Sequence, residues 1–179
     1  EKMCANIKRI MHKPIKVIGH TRQFMKGNWK AYSENSRDSY HGALLHLFYP
    51  TFGVYRQGQE SVGITDSVGC HNYFNVSAPQ GVENYADYAG EANREMKGPH
   101  QLQDERVLKF VPERDDRVAL SIQSLFPSVV LQQIQNTLAT RQVLPKSVNE
   151  TELVWTFFGY QDDDEEMDEH RLRNINLVG

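Results

Sequence analysis

Cysteine is scarce: Cys4 and Cys70 are the only two thiols in 179 residues. A disulfide framework is therefore not expected, and a reducing cytoplasm is the expected location. Long apolar runs are missing as well. No stretch of about 18 consecutive apolar residues occurs, so no segment is expected to span a membrane, and no signal-peptide pattern is visible. Neither sign of charge dominates, with 20 Lys and Arg against 23 Asp and Glu. Without a strongly basic face, a nucleic-acid partner is not expected. Internal repeats and low-complexity segments are also lacking. What is present, 39% hydrophobic and 24% charged residues, suits one globular domain with a sizeable core. The chain opens at Glu1 without a methionine and stops at Leu177-Val178-Gly179 just after an amphipathic run. It is expected to be a fragment, or the ordered part, of a longer polypeptide.

The local patterns predict a mixed architecture. Ile15-Lys16-Val17-Ile18 reads as a short extended segment followed by a turn at Gly19. Asn28 or a near neighbour can cap a helix over about Trp29 to Leu47, which Pro50 stops. Phe52-Gly53-Val54-Tyr55, Val62-Gly63-Ile64-Thr65 and Tyr73-Phe74-Asn75-Val76 read as hairpin strands. Pro79 to Pro99 is polar and weakly periodic, hence a surface excursion, and Asp104 to Phe110 can form a short helix. Val118 to Tyr160 is the strongest strand region, with breaks at Pro127, near Asn136 and at Lys146–Glu150. Asp162 to Leu177 reads as a helix with acids in its first turns and Arg171 and Arg173 later. The sum is an α+β fold, an antiparallel sheet with helices on one face.

Chemistry concentrates between Asn28 and His46. Asp38 stands three residues before His41, and His41 five before His46. Two histidines and one carboxylate on one face of Fe(II) leave open positions for dioxygen and substrate, and His41 and His46 are the candidate metal ligands. An offset of five turns side chains about 140° apart on a regular helix. The helix must therefore widen by a π-type bulge or break between them, and Gly42 suits such a distortion. Asp38, one turn before His41, can accept the free ring N–H of that histidine and fix its orientation. A zinc hydrolase built on the same histidines is disfavoured, because no His-Glu-x2-His arrangement occurs.

The string Asn28-Trp29-Lys30, Glu34-Asn35, Asp38-x2-His41-x4-His46 and Thr51-Phe52 closely resembles the iron-binding segment of Rieske-type aromatic-ring-hydroxylating oxygenase large subunits. Two further matches, Phe126 to Arg141 and Trp155-Thr156-Phe157-Phe158-Gly159-Tyr160 followed by Asp162-Asp163-Asp164, resemble the salicylate 5-hydroxylase, anthranilate and terephthalate branch. The resemblance covers essentially all 179 residues and implies a helix-grip catalytic domain. It implies a mononuclear Fe(II), a [2Fe–2S] Rieske cluster in a part of the subunit outside this chain, and electrons from NAD(P)H through a reductase, usually with a ferredoxin. Cys70-His71 are adjacent and Cys4 has no suitably spaced His, so neither fits the cluster motif. A homotrimer of large subunits, with or without a small β subunit, is implied too. In the family the Asp38 counterpart bridges to the cluster of a neighbouring subunit and helps pass the electron, which makes Asp38 a candidate catalytic residue. The family's third iron ligand is an Asp after the helix matching Asp162–Leu177, so it is expected beyond Gly179. Asp162, Asp163 and Asp164 read instead as that helix's acidic first turn.

A carboxylated aromatic needs a cation or several donors in an otherwise apolar pocket. Arg141, on an alternating strand, is the candidate anchor, and an ion pair with Glu152 on a neighbouring strand is its alternative role. Asn35 is a second candidate near the iron, as a family asparagine is. Trp29, Tyr40, Phe126 and Trp155 are expected in the core, and His71 and His100 on the surface. The implied reaction is dioxygen-dependent hydroxylation of an aromatic acid. A non-catalytic helix-grip module for an apolar ligand is the rival reading, and stoichiometric iron separates the two.

Overall fold

The structure, a computed structural model, describes residues 1–46, 48–56, 58–78 and 102–177. In chain order these form α1 (Lys2–Ile10), β1 (Ile15–Lys26), the short helices α2 (Trp29–Asn35), α3 (His41–Leu45) and α4 (Phe48–Thr51), β2 (Ser61–Thr65) and β3 (His71–Ser77). A 3₁₀ turn (Glu105–Leu108), β4 (Val118–Leu125), β5 (Val129–Ile134), β6 (Thr137–Ser147), β7 (Glu150–Tyr160) and α5 (Glu165–Ile175) follow. The strands make one antiparallel sheet in the order β1-β7-β6-β5-β4-β3-β2. Each strand from β2 to β6 pairs with its successor, while β1 runs along the far side of β7 from Ile15 opposite Tyr160 to Lys26 opposite Glu150.

Side chains alternate across a strand, and here both sheet faces are covered. Leu131, Leu138, Phe158 and Tyr160 bury Ile10 of α1 on one face. Ala139, Val143, Leu153, Trp155 and Phe157 point the other way, toward Trp29 and Tyr32 of α2, Met25 of β1 and Ile175 of α5. Leu120 and Ile134 extend that second face beneath Phe48 and Tyr49 of α4. The helices therefore flank both faces, α1 on one and α2 to α5 on the other. That two-sided burial is why residues 130–139 are buried without interruption.

Local chemistry explains where the elements depart from the sequence pattern. Asn28 does cap α2, its side chain accepting from Lys30 N at 3.0 Å. The helix expected to reach Leu47 stops at Asn35, where Ser36 Oγ donates back to Ser33 O at 2.8 Å. A new start forms when Asp38 Oδ1 accepts from Tyr40 N at 2.8 Å, so α3 begins at His41. Leu47 itself lies outside the described residues. Pro50 sits buried inside α4 instead of ending a helix; in a first turn a proline forfeits no helical hydrogen bond. Phe52 to Tyr55 follows α4 as a turn, not a strand. Gly19 lies within β1, where a register shift between Val17 and Gly19 marks a bulge in place of the expected turn. At the other end Asp164 caps α5, accepting from Met167 N at 2.8 Å. Pro79 to Pro99 and His100 lie outside the described residues.

Candidate metal centre

A cavity of about 290 Å³ separates the α2–α4 layer from the sheet. Asn35, Asp38, His41, His46 and Tyr49 line it from the helical side, and Gln132, Arg141 and Trp155 from β5, β6 and β7. The structure thus brings all five sequence-predicted site residues to one cavity.

His41 opens α3, and its Nδ1 lies 2.7 Å from the Asp38 carbonyl oxygen. A carbonyl only accepts, so Nδ1 carries the proton and Nε2 keeps its lone pair. His46 stands just past the last residue of α3 with φ −87° and ψ 81°, outside helical geometry. The chain thus breaks at His46, not at Gly42, and the break overcomes the angular offset of a regular helix. The two imidazoles lie with ring centroids 5.1 Å apart and planes at 60°. A ring nitrogen about 2.1 Å from a metal puts the ring centre about 3.3 Å away, so two such rings about 100° apart have centres about 5 Å apart. The centroid spacing is thus that of two imidazole donors to one ion. Partial burial, and then the neighbouring His41, lower the pKa of His46, which favours the neutral ring that binds metal. Gly42 serves packing: a Cβ there would stand 3.1 Å from the Tyr55 ring.

Asp38 differs from its expected role. The hydrogen bond that orients His41 comes from its backbone carbonyl, while its carboxylate accepts from Tyr40 N just ahead of α3 and stands 3.6 Å from His41 Nδ1. Among the described residues no group of three His, Cys, Asp or Glu could hold a metal. The three aspartates before α5 are otherwise engaged. Asp162 pairs with Lys13 at 2.7 Å, Asp163 with Arg171 at 2.7 Å, and Asp164 is the cap.

Arg141 faces the imidazoles from the sheet. Its Nη1 donates to Tyr32 Oη at 2.7 Å, and its guanidinium carbon lies 5.8 Å and 5.0 Å from the Tyr32 and Trp155 ring centroids. The alternative pairing with Glu152 does not occur. Glu152 projects from the opposite face of the sheet, where it meets Lys146 at 2.7 Å and Arg22 at 2.5 Å. No carboxylate among the described residues pairs with Arg141, and its Nε is buried without a hydrogen-bond partner there. Asn35 closes α2 on the cavity wall.

Sequence reasoning missed Tyr32, Tyr49 and Gln132 as lining residues. The available signal was positional: Gln132 and Arg141 are polar side chains on the buried, helix-covered face of β5 and β6. Two aromatics expected in the core are not there, since Tyr40 and Phe126 are 64% and 50% exposed. Trp155 is buried and Trp29 is half-buried. His71 is half-buried, its Nδ1 accepting from Phe126 N at 3.1 Å.

The comparisons with known proteins agree with this geometry. The chain is 42% identical over 177 residues to a terephthalate 1,2-dioxygenase terminal oxygenase alpha subunit of Comamonas sp., covering 99% of this chain and 43% of that protein. It is 43% identical to an anthranilate 1,2-dioxygenase large subunit of Burkholderia cepacia, covering 97% and 41%. It is 35% identical to a salicylate 5-hydroxylase large oxygenase component of Ralstonia sp., covering 92% and 39%. The chain thus spans about two-fifths of the length of these curated relatives. Among solved structures, naphthalene 1,2-dioxygenase from Rhodococcus sp. superposes with a TM-score of 0.70 at 15% identity, covering 97% of this chain and 42% of that one. A quaternary ammonium Rieske monooxygenase gives 0.60 at 11% identity, with the same coverage. Both likenesses bear on the fold, which is that of Rieske oxygenase catalytic domains. Residues 6–176 match the family described as the ring hydroxylating alpha subunit (catalytic domain), and the chain belongs to that family.

Proposed function

We propose that this chain is the catalytic, mononuclear-iron part of a longer oxygenase subunit that hydroxylates an aromatic acid with dioxygen. The observation that carries the reading is the shared cavity: two imidazoles with centroids 5.1 Å apart on one wall and, on the other, a cation that pairs with no carboxylate among the described residues. All three curated relatives are named for aromatic carboxylic acids. A module built for an apolar ligand would leave this half-buried guanidinium, with its Nε buried, without purpose, because a buried polar group without a partner is costly.

His41 and His46 would hold Fe(II), with a carboxylate from outside the described residues completing the set. Iron bound there supplies dioxygen activation. The protein's part is positional. The Asp38 carbonyl keeps the proton on His41 Nδ1 and so directs Nε2 to the metal. Arg141, stiffened between two rings, holds the substrate carboxylate and so presents the aromatic ring toward the imidazoles. Asn35 contributes to the same substrate pocket. Asp38 adds a negative charge beside His41, on the path by which electrons from NAD(P)H arrive through a reductase, with or without a ferredoxin, and a [2Fe–2S] Rieske cluster elsewhere in the subunit. A cyclic homotrimer of large subunits, with or without a small β subunit, brings one subunit's cluster near its neighbour's iron. A cytoplasmic setting accords with the two free thiols, and no helix among the described residues is long and apolar enough to cross a membrane.

The test is turnover of terephthalate, anthranilate, salicylate and benzoate by the full-length subunit with its electron donors under ¹⁸O-labelled dioxygen. Label in the ring product is the expected result. NAD(P)H oxidation without labelled product from any of these acids contradicts the reading, as does a strict monomer that turns over at the full rate for the inter-subunit route.

A further inference from the structure

Two adjacent glutamines on β5 face opposite sides of the sheet and meet opposite fates. Gln133 turns toward α1, where its Nε2 donates to Val118 O at 2.9 Å and Gln135 O at 3.1 Å. Its Oε1 accepts from Arg9 Nη1 at 2.8 Å and Arg114 Nη2 at 2.7 Å. Gln132 turns toward the cavity and is 1% exposed, yet its Nε2 has no hydrogen-bond partner among the described residues. A buried N–H without an acceptor costs about 1–3 kcal/mol, which a leucine of similar volume would avoid. The loss is recovered only when something in the cavity accepts from it.

The register shows what else needs an acceptor nearby. Gln132 pairs with Ala139 and Val130 with Arg141, so Gln132 and Arg141 are diagonal neighbours on the same face, about 7–8 Å apart at Cα. Arg141 Nε is the second buried donor left open on this wall. Two donors unfilled among the described residues, one charged and one neutral, at diagonal positions of one sheet face, complement an anion with two acceptor oxygens in one plane.

We propose that Gln132 is a specificity-determining residue that, with Arg141, forms a two-point cradle for the substrate carboxylate, Arg141 taking one oxygen and the Gln132 amide N–H the other. This rests on the aromatic-acid reading above. Arg141 supplies the charge. Gln132 fixes the rotation of the carboxylate about its bond to the ring, and through it the ring carbon presented to the imidazoles. A neutral amide does this without a second cation to be desolvated.

The test uses the full-length oxygenase with its electron donors, whichever of terephthalate, anthranilate, salicylate and benzoate it turns over fastest, and the matching carboxamide. For Gln132→Leu the acid-to-carboxamide ratio of kcat/KM falls about tenfold, mainly through KM, and the site of ring hydroxylation becomes mixed. For Gln132→Glu, which keeps the shape but opposes the carboxylate, the ratio falls further. Adding Gln132→Leu to Arg141→Met lowers the ratio less than it does alone, because the two act on one group. An equal loss for acid and carboxamide overturns the cradle, since general disruption of the sheet moves both. Acid binding that depends on Arg141 but is unchanged by Gln132→Leu overturns the cradle and leaves the aromatic-acid reading standing. A wild-type enzyme that takes the carboxamide as readily as the acid overturns both.

Discussion

Arg171 on α5 and Arg141 on β6 both rest on aromatic rings, but their surroundings differ completely. Arg171 is fully buried with its guanidinium carbon 4.9 Å from the Tyr160 ring centroid. Its N–H groups reach both oxygens of Asp163, both of Glu113 and the Asn136 carbonyl. Asn136 in turn bonds His170, Glu113 and both backbone groups of Val111, and its own N–H goes to Asn174. Every direction is answered, and the result is a lock that fastens α5 to the β5–β6 hairpin. Gly159 belongs to the same lock, because a Cβ there would stand 2.7 Å from Asp163 Oδ2. Around Arg141, among the described residues, only Tyr32 accepts a hydrogen bond, and Nε is left over. The contrast is between an arginine whose carboxylate partners tie it into the fold and one that no described carboxylate meets, which is the one the proposed function assigns to a ligand.

The largest effect expected from this contrast is on stability. Arg171→Met leaves Asp163 and Glu113 without their cation and should cost about 3–5 kcal/mol, whereas Arg141→Met should cost about 1 kcal/mol or less. Denaturant unfolding of both variants checks this, and equal losses would erase the distinction. The second effect runs the opposite way in activity. Arg141→Met should lower kcat/KM for the aromatic acid about 100-fold, through the lost charge-assisted hydrogen bonds. The smallest effect sharpens the role of Asp38. Asp38→Asn keeps both the backbone carbonyl that orients His41 and an oxygen to accept from Tyr40 N, so iron and fold should be retained while turnover falls about tenfold. Iron analysis beside product formation measures it; unchanged turnover would remove the carboxylate charge from the account.

Much of this was legible in the sequence where the signal is local. The four strands from Val118 to Tyr160 follow from β-branched and aromatic content with a proline or a tight turn at most breaks. The cap at Asn28 follows from a side chain suited to it. The residues that the structure brings to one cavity could be singled out because Asp38, His41 and His46 sit close together in one ordered string, and Arg141 is a cation on an alternating strand. What was hidden depends on partners far along the chain. That β1 extends to Lys26 is decided by β7, more than a hundred residues away. The division of the predicted long helix into α2 and α3 turns on which atom of Asp38 meets which donor. Gln132 looked like any strand glutamine until its face and its unanswered amide were known.

The most direct test of the central claim is the mononuclear iron content of the full-length protein, read beside the cluster's own spectrum. Wild type should hold about one mononuclear iron per catalytic chain. The double variant His41→Ala, His46→Ala should lose that iron while the cluster spectrum persists, and Asp163→Asn should keep it. Mononuclear iron retained in the double histidine variant would contradict the assignment of the site.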